Sequence, residues 1–254
     1  MTGLLYKELK LNARKIVLYT LSSMVYPMVI IIFTKLAAST LKDSIEDEVQ
    51  AQLVNNMIGL VWMCFCIISF FITSVLHNSF ITQDERKKWA YYISSTPTGI
   101  KGFVGVKYLA SVIVGMITVT ALMIMQNLAN SIGSLVPDAT IAIVLGFYGQ
   151  MFMSAIEFPL MFRFSSKIGS LVKTVIVVTA ALIGIIYFLF GDTSMFADLE
   201  TFWDRIFSLA KDPDFMKKLI FRISAGMAAV IPIYYLSYRL SVKWYLKGVE
   251  NYAK

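Results

Sequence analysis

Six long apolar stretches, each bounded by short polar segments, dictate what this chain can fold into. They run over about residues 16–36, 57–81, 103–128, 140–162, 171–190 and 219–240. A hydrocarbon core of about 30 Å is covered by roughly 20 helical residues, so each stretch is long enough to span one. Backbone groups surrounded by lipid must pair within their own segment, which leaves helix as the form these stretches can take. The sequence therefore predicts an all-α integral membrane protein with six transmembrane helices, built as one membrane domain over residues 1–254.

Basic residues sort onto alternate polar segments. Counted from the N-terminus, the odd segments hold 16 of the 23 Lys and Arg residues and the even segments hold 7. Positive charge is retained on the cytoplasmic side, so both termini are expected there. Asp43, Glu46, Asp47, Glu48, Asp138 and Asp198 are among the acids on the opposite side. They agree with this orientation without determining it. The net charge of +7 then reflects topology and anionic lipid rather than a nucleic-acid partner. The first apolar run is too long for a cleavable leader and lacks a small-residue cleavage site. Six spans occupy about half of the chain, and what remains is divided among loops, none of them long enough for a soluble catalytic domain of about 100 residues. Cys64 and Cys66 lie within the second stretch at a spacing that points them apart, so they make no metal site by themselves.

The polar segments carry more specific signals. Leu4, Leu5, Leu9 and Leu11 alternate with Lys7, Glu8, Lys10 and Asn12, the pattern of an amphipathic helix lying in the membrane interface over residues 2–15. Between the second and third stretches, Thr82 and Glu85 stand at capping-box spacing, which predicts a new helix beginning after Thr82. Asp84 and Lys88 form an i,i+4 pair within it, and Pro97 ends it near Ser95. Trp89, Tyr92 and Ile93 give this helix an apolar-aromatic face suited to a protein contact or to lipid. On the other side of the membrane, Leu199, Phe202, Trp203, Ile206 and Leu209 mark one face of a further helix. Asp212 and Pro213 are placed as N-cap and first residue of the last span.

Few residues within the spans could do chemistry. Glu157 is an acid near the inner end of the fourth span, where it must face protein or water. It is a candidate substrate or gating contact, or else a structural partner for Arg163 or for backbone freed by Pro159. Gln150 shares the candidate gating role, and Gln126 and Gln150 both suit interhelical hydrogen bonds. With His77 the only histidine, a membrane-embedded enzyme lacks the constellation it would need. An ion-coupled carrier would want several intramembrane acids or broken helices, and the spans offer one acid near an end. No Gly-x-x-x-x-Gly-Lys-Ser/Thr sequence occurs, so the chain has no phosphate-cradling loop of that kind.

Several segments, taken in order, resemble type-2 ABC exporter permeases. They are the amphipathic start, Glu85-Arg86-Lys87 with the aromatics after it, Ser95-Thr96-Pro97, Val106-Lys107-Tyr108-Leu109, Phe158-Pro159 through Phe164, and Ser237-Tyr238-Arg239-Leu240-Ser241. The resemblance covers essentially the whole chain. It implies that the first cytoplasmic loop is a coupling helix docking on a separate ATPase, with Asp84, Glu85, Arg86, Lys87, Trp89 and Tyr92 as the docking face. A second, shorter contact would fall at Arg163 to Lys173, including Lys167. Ser165-Ser166 stands there where a glycine is expected. ATP and Mg would be held by the partner subunit, leaving this chain non-catalytic and without a cofactor or metal. A second copy or a sister permease would complete the pathway in a bacterial cytoplasmic membrane. Among such permeases the chain is most similar to those exporting amphipathic cytolytic peptides of the phenol-soluble modulin type. Lantibiotic-immunity and drug-efflux permeases are the alternatives.

Overall fold

The computed structural model describes residues 2–41, 48–86, 93, 99–134, 136–190 and 213–252. Six α-helices account for nearly all of them: α1 (Thr2–Leu41), α2 (Glu48–Arg86), α3 (Gly99–Ile132), α4 (Thr140–Phe164), α5 (Ser166–Phe190) and α6 (Pro213–Tyr252). No strand occurs among the described residues. Among the described residues, four segments are long and apolar enough to cross a membrane: Thr2–Leu36, Met57–Thr82, Gly99–Ile132 and Thr140–Phe164. These contain the first four apolar stretches. The last two stretches fall within α5 and α6; Asp212, the expected N-cap of the last span, lies outside the described residues.

Two expectations about helix ends are corrected. Residues 2–15 are not a separate interfacial helix, because α1 runs unbroken for 40 residues. Likewise Thr82 is not a helix start, because α2 continues through it to Arg86 over 39 residues; of the rest of the helix expected up to Ser95, only Ile93 is among the described residues. At 1.5 Å per residue each helix is about 60 Å long, roughly twice the hydrocarbon thickness. The surplus at one end of each is packed rather than loose. Lys15 Nζ lies 3.3 Å from Ser79 Oγ, Ser69 Oγ donates to the Ser23 carbonyl at 2.9 Å, and Tyr26 stacks on Phe65 at 5.8 Å. These contacts set an antiparallel register that brings the start of α1 beside the end of α2. Local amphipathicity in the first turns thus serves protein packing: Glu8 and Asn12 are buried, while Tyr6 and Leu11 face outward.

The turn from α3 to α4 is built by local chemistry. Gly133 adopts φ 69°, the left-handed conformation that a side chain would resist. Its N–H donates to the Asn130 carbonyl at 3.2 Å and the Ser134 N–H to the Ala129 carbonyl at 3.1 Å, satisfying the end of α3 in a Schellman arrangement. Asp138 Oδ1 then accepts from the Thr140 N–H at 2.9 Å and from its hydroxyl at 2.6 Å, ahead of α4.

Among the described residues, three apolar clusters hold the bundle. Near the α3–α4 turn, Ile31, Trp62, Cys66, Phe70, Leu122 and Ile143 pack together. At the opposite end of α3, Ile81, Ile93, Phe103, Tyr108, Phe158 and Tyr245 form the second cluster. The third joins Ile16 of α1, Leu76 and Phe80 of α2, and Ala110 and Val114 of α3. Helices approach closely where side chains are missing: a methyl group on Gly115 would meet the Phe147 ring at 2.8 Å, and one on Gly146 the Phe70 ring at 2.5 Å. Outward faces are studded with Leu18, Phe33, Phe71, Ile141, Val175, Ile183 and Leu236, as expected of helices bathed in lipid.

Candidate functional site

Lys107 and Tyr108 are neighbours in sequence and reach to opposite sides of α3. Lys107 is fully buried. An ammonium group has three protons to donate, and each finds an acceptor here. Lys107 Nζ donates to the Phe80 carbonyl at 2.7 Å, pairs with Glu8 Oε2 at 2.9 Å and bonds Asp84 Oδ2. Phe103 lies beneath the cation at 5.1 Å from its ring centre. Lys7 Nζ stands 3.7 Å from Asp84 and 3.9 Å from Glu8, so two cations and two carboxylates balance within one cluster. Asn12 donates to the Glu8 carbonyl at 3.0 Å from one turn further along α1. The cluster therefore ties the start of α1 and the end of α2 to α3.

Tyr108 ties α3 to the other half of the bundle. Its hydroxyl lies 2.7 Å from both Ser237 Oγ and Ser241 Oγ on α6. Ser237 Oγ in turn donates to the Ala155 carbonyl of α4 at 2.5 Å. The Tyr108 ring meets Phe158, Tyr234 and Tyr238 edge to face at 4.8, 5.0 and 5.7 Å. Tyr234 and Tyr238 donate to the Tyr108 and Lys101 carbonyls at 2.9 and 3.1 Å. Three short segments far apart in sequence, around Tyr108, Phe158 and Ser237, thus meet at one place.

A third feature is the turn between α4 and α5, only one residue long. Ser165 takes φ 84° and ψ 161°, a region that glycine alone occupies readily. This is the position where a glycine was expected, and the serine is held in the glycine-like conformation. The Gly169 N–H donates to the Ser165 carbonyl at 2.8 Å. A methyl group on Gly169 would stand 2.6 Å from the Met161 backbone, so no side chain fits between the two helices. Across this turn Glu157, 2 % exposed, pairs with Lys173 at 2.8 Å. Its partner is therefore Lys173, where Arg163 or the backbone near Pro159 had been considered.

Of the predicted docking residues, Asp84 is drawn inward to Lys107. Glu85 and Arg86 form the last turn of α2, while Lys87, Trp89 and Tyr92 lie outside the described residues. Ile93, expected on the displayed aromatic face, is instead buried in the cluster that includes Phe103 and Phe158. Arg163 is half-buried with its guanidinium 6.0 Å from the Phe164 ring centre, and Lys167 is exposed. Gln150 is buried beside Gly115 at the crossing of α3 and α4. Gln126 makes the interhelical bonds expected of it: its Oε1 accepts from Trp62 Nε1 at 2.9 Å and from the Ala139 N–H at 3.2 Å. Glu8 and Lys107 were not singled out for this role by the sequence. The one available signal was a lysine and a glutamate on apolar-rich helix faces. No three His, Cys, Asp or Glu side chains gather as metal ligands among the described residues.

Apolar outer faces, helices long enough to span a bilayer and polar knots confined to the interior define a membrane-integral helical bundle. A family model described as "ABC-2 family transporter protein" matches residues 48–246, and the chain belongs to that family, as a membrane permease of an ABC transporter. An ABC ATPase partner is implied by that membership. No curated protein and no solved structure matches the chain.

Proposed function

We infer that this permease is the membrane subunit of an ATP-driven exporter, carrying amphipathic peptides outward. It is moved by a separate ATPase docked on the segment that follows α2, with its termini in the cytoplasm. The observation that carries this reading is the end of α2. The helix overruns the membrane span, is anchored through Asp84 to α3, and carries Arg86 in its last turn, with Lys87, Trp89 and Tyr92 following in the sequence. A rigid, anchored helix end followed by exposed-type basic and aromatic residues suits a partner that pushes. The chain has no Gly-x-x-x-x-Gly-Lys-Ser/Thr sequence, so the energy source belongs to that partner. A second copy of the chain or a sister permease completes the pathway. Peptide substrates accord with the resemblance to modulin exporters and with the many Phe and Met residues, 18 and 14, available to line an adaptable apolar route.

The test is co-purification with a candidate ABC ATPase subunit, using the wild type and an Arg86→Ala, Trp89→Ala, Tyr92→Ala variant. Loss of assembly and of permease-dependent ATP hydrolysis in the variant is expected. Unchanged assembly and hydrolysis would refute the docking role. Stimulation by a cationic amphipathic helical peptide, and not by an apolar drug, is expected of the wild-type complex. The reverse preference would refute the peptide assignment.

A further inference from the structure

The Lys107 cluster is costly to build and has no place in ordinary helix packing. A buried ion pair is matched or exceeded in stability by apolar side chains of similar volume. Here two pairs converge on one ammonium group in the interior of a membrane protein. Their geometry is directional: one proton goes to α1, through Glu8, and two go to the end of α2, through Asp84 and the Phe80 carbonyl. The next residue, Tyr108, is bonded to α6 and packed on α4. A displacement at the end of α2 therefore meets α1 and α3 through charged bonds, and the opposite half of the bundle one residue later. Asp84, the first of the residues expected to face the ATPase, has its side chain committed inward.

We propose that Lys107 is a positioning residue that, with Glu8 and Asp84, makes the start of α1 and the foot of α3 move as one body with the end of α2. This rests on the reading that an ATPase acts at the segment after α2, and it assigns that segment's internal receiver. Asp84 belongs to the receiver and not to the docking face. The start of α1, which would otherwise be a passive membrane anchor, becomes a moving part.

The experiment uses the full complex of permease and ATPase in lipid nanodiscs. Spin labels at Leu11 on α1 and Ile168 on α5, both exposed, report the separation of the two helices. Distances are measured without nucleotide and after trapping with ATP and vanadate. In the wild type the distance is expected to shift on trapping. In the neutral variant Glu8→Gln, Asp84→Asn, Lys107→Met the ATPase still binds, and the shift is expected to be lost. An identical shift in the neutral variant, or no shift in a wild-type complex that assembles and hydrolyses ATP, overturns the proposal. Should the neutral variant not insert, Glu8→Gln alone serves: it retains shape and a hydrogen-bond acceptor for Lys107, and it is expected to reduce the shift, an unchanged shift again overturning the proposal. Failure of the wild-type chain to assemble with an ATPase would instead overturn the ATPase-driven reading on which this rests.

Discussion

Replacing Lys107 by Met removes a cation and leaves its two carboxylate partners in place. The Lys107 side chain is 0 % exposed, and those of Glu8 and Asp84 are 5 % and 12 % exposed, so water cannot readily take over. Removing one member of a buried pair costs about 3–5 kcal/mol, because the charge left behind is uncompensated. Lys7, at 3.7 and 3.9 Å from the two acids, offsets part of this and places the expected loss near the lower bound. For a chain of this size each kcal/mol moves the melting temperature by about 2–4 °C, giving an expected drop of about 6–12 °C. Tryptophan fluorescence during heating, in detergent or nanodiscs, reads this directly. The Glu8→Gln, Asp84→Asn, Lys107→Met variant should recover most of the loss, since no charge of the original set but Lys7 remains. A Lys107→Met melting temperature within about 2 °C of wild type would refute the reasoning, as the cost of stranding two buried acids could not be hidden in so small a change. A triple variant no more stable than Lys107→Met would also refute it.

Ser165→Gly should raise thermal stability by about 1 kcal/mol, because relief of backbone strain of about 1–3 kcal/mol exceeds glycine's added entropy cost of about 0.5–1 kcal/mol. An unchanged or lowered melting temperature would count against the strained turn. Gln126→Leu should cost about 1–3 kcal/mol by leaving the Trp62 and Ala139 N–H groups without their acceptor, read by thermal melting and by a shift in tryptophan emission. Asp138 is held below the ordinary carboxylate range by its hydrogen bonds from the Thr140 hydroxyl and N–H. A depressed pKa in the folded state contributes stability above the unfolded value and loses it as pH falls through the folded one. Melting temperature should therefore decline as pH is lowered below about 4, and Asp138→Asn should flatten that decline.

The apolar stretches were readable because lipid imposes one solution on them. Length and hydropathy are properties of a single segment and need no knowledge of neighbours. Helix overrun was not readable. A capping-box spacing at Thr82 and an amphipathic start before Ile16 are local signals, but antiparallel packing of α1 on α2 prevailed over both. Lys107 looked like one more basic residue marking the cytoplasmic side. Charge counting uses the sign of a residue and not its partners, and Glu8 is brought to it only by the fold. Ile93 was misplaced for a related reason, since an apolar face on a short helix fits an external partner or an internal core equally well. The Ser165 turn was the reverse case, as an expected glycine correctly marked the place where the backbone takes an unusual conformation.

The central claim is that this permease provides a gate without an engine, and transport of a labelled amphipathic peptide by the chain reconstituted into vesicles tests it most directly. With the ATPase and ATP present, peptide should accumulate on the far side, and without either it should not. Accumulation by the permease alone, driven by an imposed proton or sodium gradient, would contradict the account.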